Sequence, residues 1–234
     1  MEFARVLGIL ALGYLLGSIP FGYLLVKLST GEDIRKVQSG RSGGTNAARA
    51  AGWPIGLSTG IMDVVKSAGT VALARLLAPG NEWLAALAPV MAIIGHNYSI
   101  FLLNKDEDGK LKLGGGAGGA TVLGGAMGLW APSVFFMLPV GVLVYYFVGY
   151  ASITTLSASA MAIIIFALRA ALLGQAWQYV VFGLLATLLV TWALRPNLKR
   201  LRAGNERLHG YRARKKQADP GGVKAGKRGL PNYR

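Results

Sequence analysis

The chain has 234 residues, of which 53% are apolar and only 15% charged, with a formal net charge of +15. A soluble domain of this size ordinarily holds about 25% charged residues. Here the deficit is concentrated in long uncharged runs separated by short charged ones, which excludes an ordinary soluble core and predicts an all-α polytopic membrane protein. The absence of cysteine excludes disulfides and thiolate chemistry, and His96 and His209 are too few and too far apart in sequence to predict a metal centre. No cofactor fingerprint is present, so neither metal nor cofactor is expected. Thirteen of the 25 Lys and Arg residues fall in the last 40 positions, and the aromatic–basic interleaving of a nucleic-acid surface is not evident elsewhere. Anionic membrane lipid, rather than nucleic acid, is the expected partner of that tail.

A membrane span needs about 20 mostly apolar residues. The first such run extends from about Val6 to Leu28; without a strongly positive leader or a clean small-residue cleavage site, it reads as a retained span rather than a signal peptide. Pro20 lies inside it, where a ring without an N–H donor predicts a kink or short break. The second run, about 54–76, contains Asp63 and Lys66, three residues apart and so on one helix face. The third, about 84–104, is apolar until Gly95-His96-Asn97-Tyr98, and a polar insert from Asn104 to Lys112 follows. A glycine-crowded segment from Gly114 to Gly128 has poor helix propensity, yet small residues are what close helix packing in lipid requires. Runs at about 131–149, 152–170 and 174–194 bring the expected number of transmembrane helices to about seven.

With seven spans, Arg35, Lys36, Arg41, Arg49, Lys105, Lys110 and Lys112 share a side with the basic tail, so the N-terminus is expected outside and the C-terminus in the cytoplasm. The expected division is a transmembrane domain at 1–194 with cytoplasmic loops at 29–53 and 104–113, an interfacial basic segment at 195–217, and a disordered basic tail at 218–234.

The loop at 32–49 organises the candidate chemistry. Glycines at 40, 43 and 44 let its backbone turn tightly, and Ser39, Arg41, Ser42, Thr45, Asn46 and Arg49 are natural partners for phosphate oxygens. The same composition also fits a cytosolic turn whose arginines only orient the protein. Asp63 and Lys66 are costly inside a span, so they either pair with each other or brace the loop. His96 sits near the internal end of its span, where it either packs or donates a hydrogen bond to a phosphate oxygen. Gly115, Gly116 and Gly118 offer backbone N–H groups at a helix start, although no Lys-Ser/Thr closes a Walker motif; the same glycines also serve as a packing face. Ser152 and Thr155 form a hydroxyl cluster at another internal boundary, and Asn197 and Arg200 emerge from the last span into the interface. Two classes follow: a membrane enzyme acting on a phosphorylated substrate, or an anion transporter. No internal repeat of the transporter kind is visible.

Over residues 13–206 the chain resembles the bacterial acyl-phosphate:glycerol-3-phosphate acyltransferase family. The motifs that carry the resemblance are GSIPFGYLLVKL at 17–28, SGRSGGTNAAR at 39–49, DVVK at 63–66, GHNYSIFL at 95–102, the turn with Tyr150, Ser152 and Thr155, and RPNLKRLRAGNE at 195–206. The resemblance implies transfer of an acyl chain from acyl phosphate to the sn-1 hydroxyl of glycerol 3-phosphate, by a monomer at the cytoplasmic face of a bacterial plasma or inner membrane. It implies catalytic roles for Ser39, Asn46, Arg49 and His96. Substrate contacts are implied for Gly40, Arg41, Thr45, Asp63, Lys66, Lys112, Gly115, Gly116, Gly118, Ser152, Thr155, Asn197, Arg200, Gly204 and Glu206. One departure stands out: the family's second signature reads KGGKGVAT, whereas this chain has GGGAGGAT at 114–121, with Gly114 and Ala117 at the lysine positions. Either Lys110 and Lys112 supply the missing charge, or the chain is a repurposed member that acts on or binds another phosphorylated substrate.

Overall fold

The computed structural model describes residues 2–105 and 109–218. The first apolar run is a helix broken at Ile19-Pro20 into α1 (Glu2–Ser18) and α2 (Phe21–Thr30), because Pro20 has no N–H to continue the ladder. The organising loop then contains a 3₁₀ turn (Ile34–Lys36) and the short helix α3 (Gly44–Ala51). Helices α4 (Trp53–Leu77), α5 (Glu82–Asn97), α6 (Gly119–Leu129), α7 (Ser133–Leu143), α8 (Ala151–Leu173) and α9 (Gln178–Ala193) form the bundle. A π-helical turn, Val144–Val148, extends α7. Two short helices, α10 (Arg195–Arg202) and α11 (Gly210–Ala218), end the described chain. The tail expected to be disordered lies, beyond Ala218, outside the described residues.

Two expectations are corrected, the reach of the third run and the helicity of the fourth. The third run does not stay helical to 104: α5 stops at Asn97, and β1 (Ser99–Lys105) pairs antiparallel with β2 (Leu111–Gly114), Leu103 opposite Leu113 and Asn104 opposite Lys112. Ile100, Phe101, Leu102 and Leu103 are β-branched, aromatic or apolar residues that read equally well as a strand or as the end of a span. The fold is therefore largely helical with one hairpin. Among the described residues, only Glu2–Thr30 and Ala151–Leu173 are long and apolar enough to cross a membrane, or three segments if the bent pair α9–α10 counts as one. The fourth run yields a helix of only 11 residues, since its glycines at 114–116 and Gly118 stay out of the helix.

Helix association in lipid relies on close packing rather than on hydrophobic expulsion from water. Accordingly the interior is built from small residues, with Ala85, Ala86, Ala88, Ala92, Ala126, Ala162 and Ala186 all buried. Large apolar side chains such as Phe3, Phe135, Leu172 and Leu188 point outward. α1 and α5 approach so closely at Gly17 and Gly95 that a Cβ on either would collide with the other helix. The aromatic centre is Phe166, edge-on to Tyr179 and Phe182 at centroid distances of 5.5 and 6.2 Å.

Contacts along the bundle define two ends. At one, Arg75 donates to the carbonyls of Gly128 and Leu129 and to the Tyr179 hydroxyl, which also bonds Glu82. Trp83 and Trp177 meet edge-to-face beside it. Arg5, from the start of α1, joins Glu82 and Gln178 around a recess of about 410 Å³ there. The organising loop, the hairpin and the segment after α9 gather at the other end. The first helix therefore begins at the end opposite the basic C-terminal segment.

Candidate active site

Asn46 sets the shape of the organising loop. Its buried Nδ2 lies within hydrogen-bond distance of the carbonyls of Ile34, Val37 and Arg41, at 3.3, 3.0 and 2.9 Å. Asp33 holds the preceding turn by accepting from the Arg35 backbone N–H and pairing with its guanidinium at 2.6 Å. That pairing lowers the pKa of Asp33 through the Arg35 side-chain hydrogen bond. The loop then reverses at Gln38 and Gly40, both with positive φ. Asn46 thus acts on the loop's own backbone, while Ser39 and Thr45 stand exposed on its surface.

Arg41 connects the loop to two distant segments. One Nη donates to the Gly116 carbonyl at 3.1 Å; the other donates to the Ala193 carbonyl at 2.5 Å and to Asn197 Oδ1 at 3.3 Å. The Ser42 N–H also donates to the Gly115 carbonyl. Burial, then the charge of Arg200, lowers the pKa of Arg41, but a guanidinium remains protonated at neutral pH. Among the described residues, neither Arg41 nor Arg200 is paired with a carboxylate. The nearest link to one runs through Asn197, whose Nδ2 donates to Glu206, and Glu206 also accepts from Ser152 at 2.7 Å.

Beneath the glycine segment lies a buried charged group. Lys66 pairs with Asp63 at 2.7 Å and donates to the Ile19 carbonyl at the break before Pro20, which also accepts from the Phe21 N–H. Its Nζ also lies 3.1 Å from His96 Nδ1, while Asp63 Oδ1 lies 3.4 Å from that nitrogen. Lysine has only donors, so the shorter contact makes His96 Nδ1 an acceptor and leaves the proton on Nε2. The Nε2 edge of the ring rests against Gly116, where a Cβ would collide with it. The Gly116 N–H in turn donates to the His96 carbonyl at 2.8 Å. Asn97 sits beside Gly118 with both amide atoms buried and unpartnered. Gly118, at φ +94°, starts α6 without a side-chain cap, so first-turn N–H groups remain without intrahelical partners.

Arg49 turns toward the C-terminal segment, its Nη2 2.7 Å from His209 Nε2. Its pKa is lowered by burial and then by the charge of Arg207. Thr155 bonds the carbonyl one turn back in its own helix and packs against Gly119. Lys112 is exposed on β2, and Gly204, at φ +70°, follows α10. The structure therefore joins Arg41, Asn197, Glu206 and Ser152 to one another and to the glycine segment, with Lys66, Asp63 and His96 beneath. It gives Lys112 no part in that network. Sequence reasoning missed the partner of His96, because Asp63 and Lys66 lie 30 or more positions away, and it missed Asn97 and His209. The signal for Asn97 in the sequence was only its place after a histidine, where the apolar run turns polar.

Fold and site together define a helical membrane protein with a cation-rich, glycine-lined end. The glycerol-3-phosphate acyltransferase family pattern matches residues 7–204, and the chain belongs to that family. It is 37% identical to a glycerol-3-phosphate acyltransferase of Thermus thermophilus, over 78% of this chain and 85% of that one. It is 33% identical to glycerol-3-phosphate acyltransferase 3 of Dehalococcoides mccartyi, over 92% of this chain and 100% of that one. The crystal structure of PlsY (YgiH), an integral membrane glycerol 3-phosphate acyltransferase, in its glycerol 3-phosphate form superposes with a TM-score of 0.74 at 26% identity, covering 88% of this chain and 96% of that one.

Proposed function

We propose that this chain transfers an acyl group from acyl phosphate to the sn-1 hydroxyl of glycerol 3-phosphate, giving lysophosphatidic acid and phosphate. Membership of the family supports the reaction. The observation that carries the site is Arg41, bound at the Gly116 carbonyl beside the charge of Arg200, with neither cation paired with a carboxylate among the described residues.

An acyl phosphate is already an activated anhydride, so no covalent serine or thiol intermediate is required. The protein's tasks are to hold two anions together and to balance the charge that moves onto the departing phosphate. Arg41 takes the charge role of the lysines missing at Gly114 and Ala117, since its guanidinium is bound at the carbonyl of Gly116 between them. Arg200, Arg49 and the N–H groups at the start of α6 complete the anion contacts, and Ser39, Gly40 and Thr45 line the entrance. Lys66 and Asp63 fix His96 so that its Nε2–H faces the reacting groups. The hydroxyl oxygen attacks the acyl carbon, the bond from that carbon to the phosphate oxygen breaks, and the hydroxyl proton passes to the substrate's phosphate. Asn197, Glu206 and Ser152 hold Arg41 and the wall behind it; Gly204 gives the turn that returns Glu206 to Ser152.

The same reading puts the loop end in the cytoplasm, in a bacterial inner membrane, with α1–α2, α4, α5, α6, α7 with its π turn, α8 and α9 as seven crossings. An 11-residue α6 is only about 16 Å long, short of the hydrocarbon core, but the glycine backbone before it is sheltered by protein. The natural absence of cysteine permits single-cysteine labelling. Labelling of Lys36→Cys only from the cytoplasmic side supports this orientation, and labelling from outside overturns it. For the reaction, purified protein is given acyl phosphate, glycerol 3-phosphate, or both. Phosphate release that needs both substrates supports the transferase; equal release without glycerol 3-phosphate refutes it.

A further inference from the structure

The family match ends at residue 204, yet the chain continues as an ordered strap that returns to the site end. Two glycines seat it. Gly149 (φ +79°) ends the π turn and Gly210 (φ +59°) begins α11, and a Cβ on either would run into the backbone of the other segment. The His209 N–H donates to the Gly149 carbonyl at 2.8 Å, and the His209 ring stacks on Tyr145 with centroids 5.1 Å apart. Arg212 donates to the Val148 carbonyl. These contacts leave His209 Nε2 facing Arg49 Nη2 at 2.7 Å. A guanidinium has only donors, so His209 must offer a lone pair there and is neutral.

The choice of partner has a chemical consequence. A carboxylate in the same place would hold Arg49 and also cancel its charge. A neutral imidazole holds the guanidinium and leaves the full positive charge for an anion. We propose that His209 is a positioning residue for the acyl transfer: it orients Arg49, from outside the family-matched residues, so that the remaining N–H groups meet the substrate phosphate. This rests on the reading of Arg49 as a substrate-binding residue.

The positioning is pH-dependent. The groups facing His209 are Arg49 from α3, Tyr145 from the π turn, and Arg207 and Glu206 from the strap itself. Glu206 is engaged by Ser152 and Asn197, so a protonated ring would stand mainly among cations. Burial first, then Arg49 and Arg207, lowers the pKa of His209 below its ordinary value of 6.5. A histidine depressed in the docked state favours docking above its free pKa, and the hold weakens as pH falls through that range.

The test is steady-state phosphate release by the full chain between about pH 5.5 and 8, varying glycerol 3-phosphate at saturating acyl phosphate. At neutral pH His209→Ala should raise KM roughly threefold to tenfold, the effect of freeing one rotamer-rich side chain, with kcat changed less than about twofold. The wild-type KM should rise below about pH 6.5 more steeply than that of His209→Ala, which retains only the titration of the substrate phosphate near pH 6. His209→Gln, which keeps an acceptor near Nε2 but does not titrate, should restore a low KM without the extra acid rise. A wild-type KM in His209→Ala, an unchanged acid rise in His209→Ala, or failure of Gln to restore KM would each overturn the positioning role. Arg49→Ala separates the two readings. Lost activity there, with His209→Ala like wild type, removes the positioning role alone; full activity there removes Arg49 from the site, and this proposal with it.

Discussion

The two ends of the bundle set their arginines among different charges. At the Trp83–Trp177 end, Arg75 is committed to structure: it bonds the last carbonyls of α6 and the Tyr179 hydroxyl, with Glu82 close by. Arg169 there lies over the Trp130 ring at 4.0 Å. At the loop end, Arg41 also bonds two carbonyls, of Gly116 and Ala193, but the charge beside it is that of Arg200, and among the described residues neither is paired with a carboxylate. Asn97, Asp63 and Asn46 each keep a buried polar atom without a partner there, as Ser133 and Arg169 do at the other end. A native fold leaves few such groups, and at the loop end Asn97 and Asp63 lie around the proposed site. On the reading proposed above, one end serves the fold and the other receives the substrates.

Substitutions sharpen this contrast, beginning with the largest effect. Lys66→Ala leaves Asp63 charged and unpaired in a site where both are almost fully buried. It should lower stability by about 3–5 kcal/mol and abolish transfer. Chemical denaturation in detergent checks the first, and a loss below about 1 kcal/mol would mean that water or another cation replaces the lysine. Arg41→Ala leaves the Gly116 and Ala193 carbonyls without their donor, so it should cost about 1–3 kcal/mol of stability and also cut kcat/KM of the remaining folded protein by about 10- to 150-fold, the range for a charge-assisted hydrogen bond. A change under twofold would return the missing charge to other residues. Arg75→Ala, at the other end, should cost a similar amount of stability, about 1–3 kcal/mol, from the unsatisfied carbonyls, but leave kcat/KM of the remaining folded protein within about twofold of wild type. A large catalytic defect in the folded variant would erase the distinction between the ends. Lys112→Ala should have the smallest effect, a rise in KM of about twofold or less, because its exposed ammonium acts on the site only through screened solvent. A tenfold rise would put the hairpin over the site.

The helix positions and the Pro20 break were legible because long apolar runs and a missing donor act locally. The end of α5 was not, since Ile100–Leu103 suits strand and span alike, and only the pairing with Leu111–Gly114 decides it. Within the site, the loop, the glycines and the segment after α9 were visible as phosphate-compatible chemistry. Their assembly was not: Arg41 reaching Gly116 and Ala193, or Lys66 reaching Ile19, depends on contacts between residues tens of positions apart. The catalytic role of Asn46 came from the resemblance alone, and nothing in the sequence foretold that its amide nitrogen faces the loop's own carbonyls.

That amide makes the loop sensitive to the identity of one atom. Aspartate at 46 would match asparagine almost perfectly in volume, but it would set an oxygen where three carbonyl oxygens converge on a nitrogen. Exchanging a single NH₂ for O, by one mutation or by spontaneous deamidation as the protein ages, would turn attraction into repulsion and expel the turn. The shape of this segment is thus written in hydrogen polarity rather than in size.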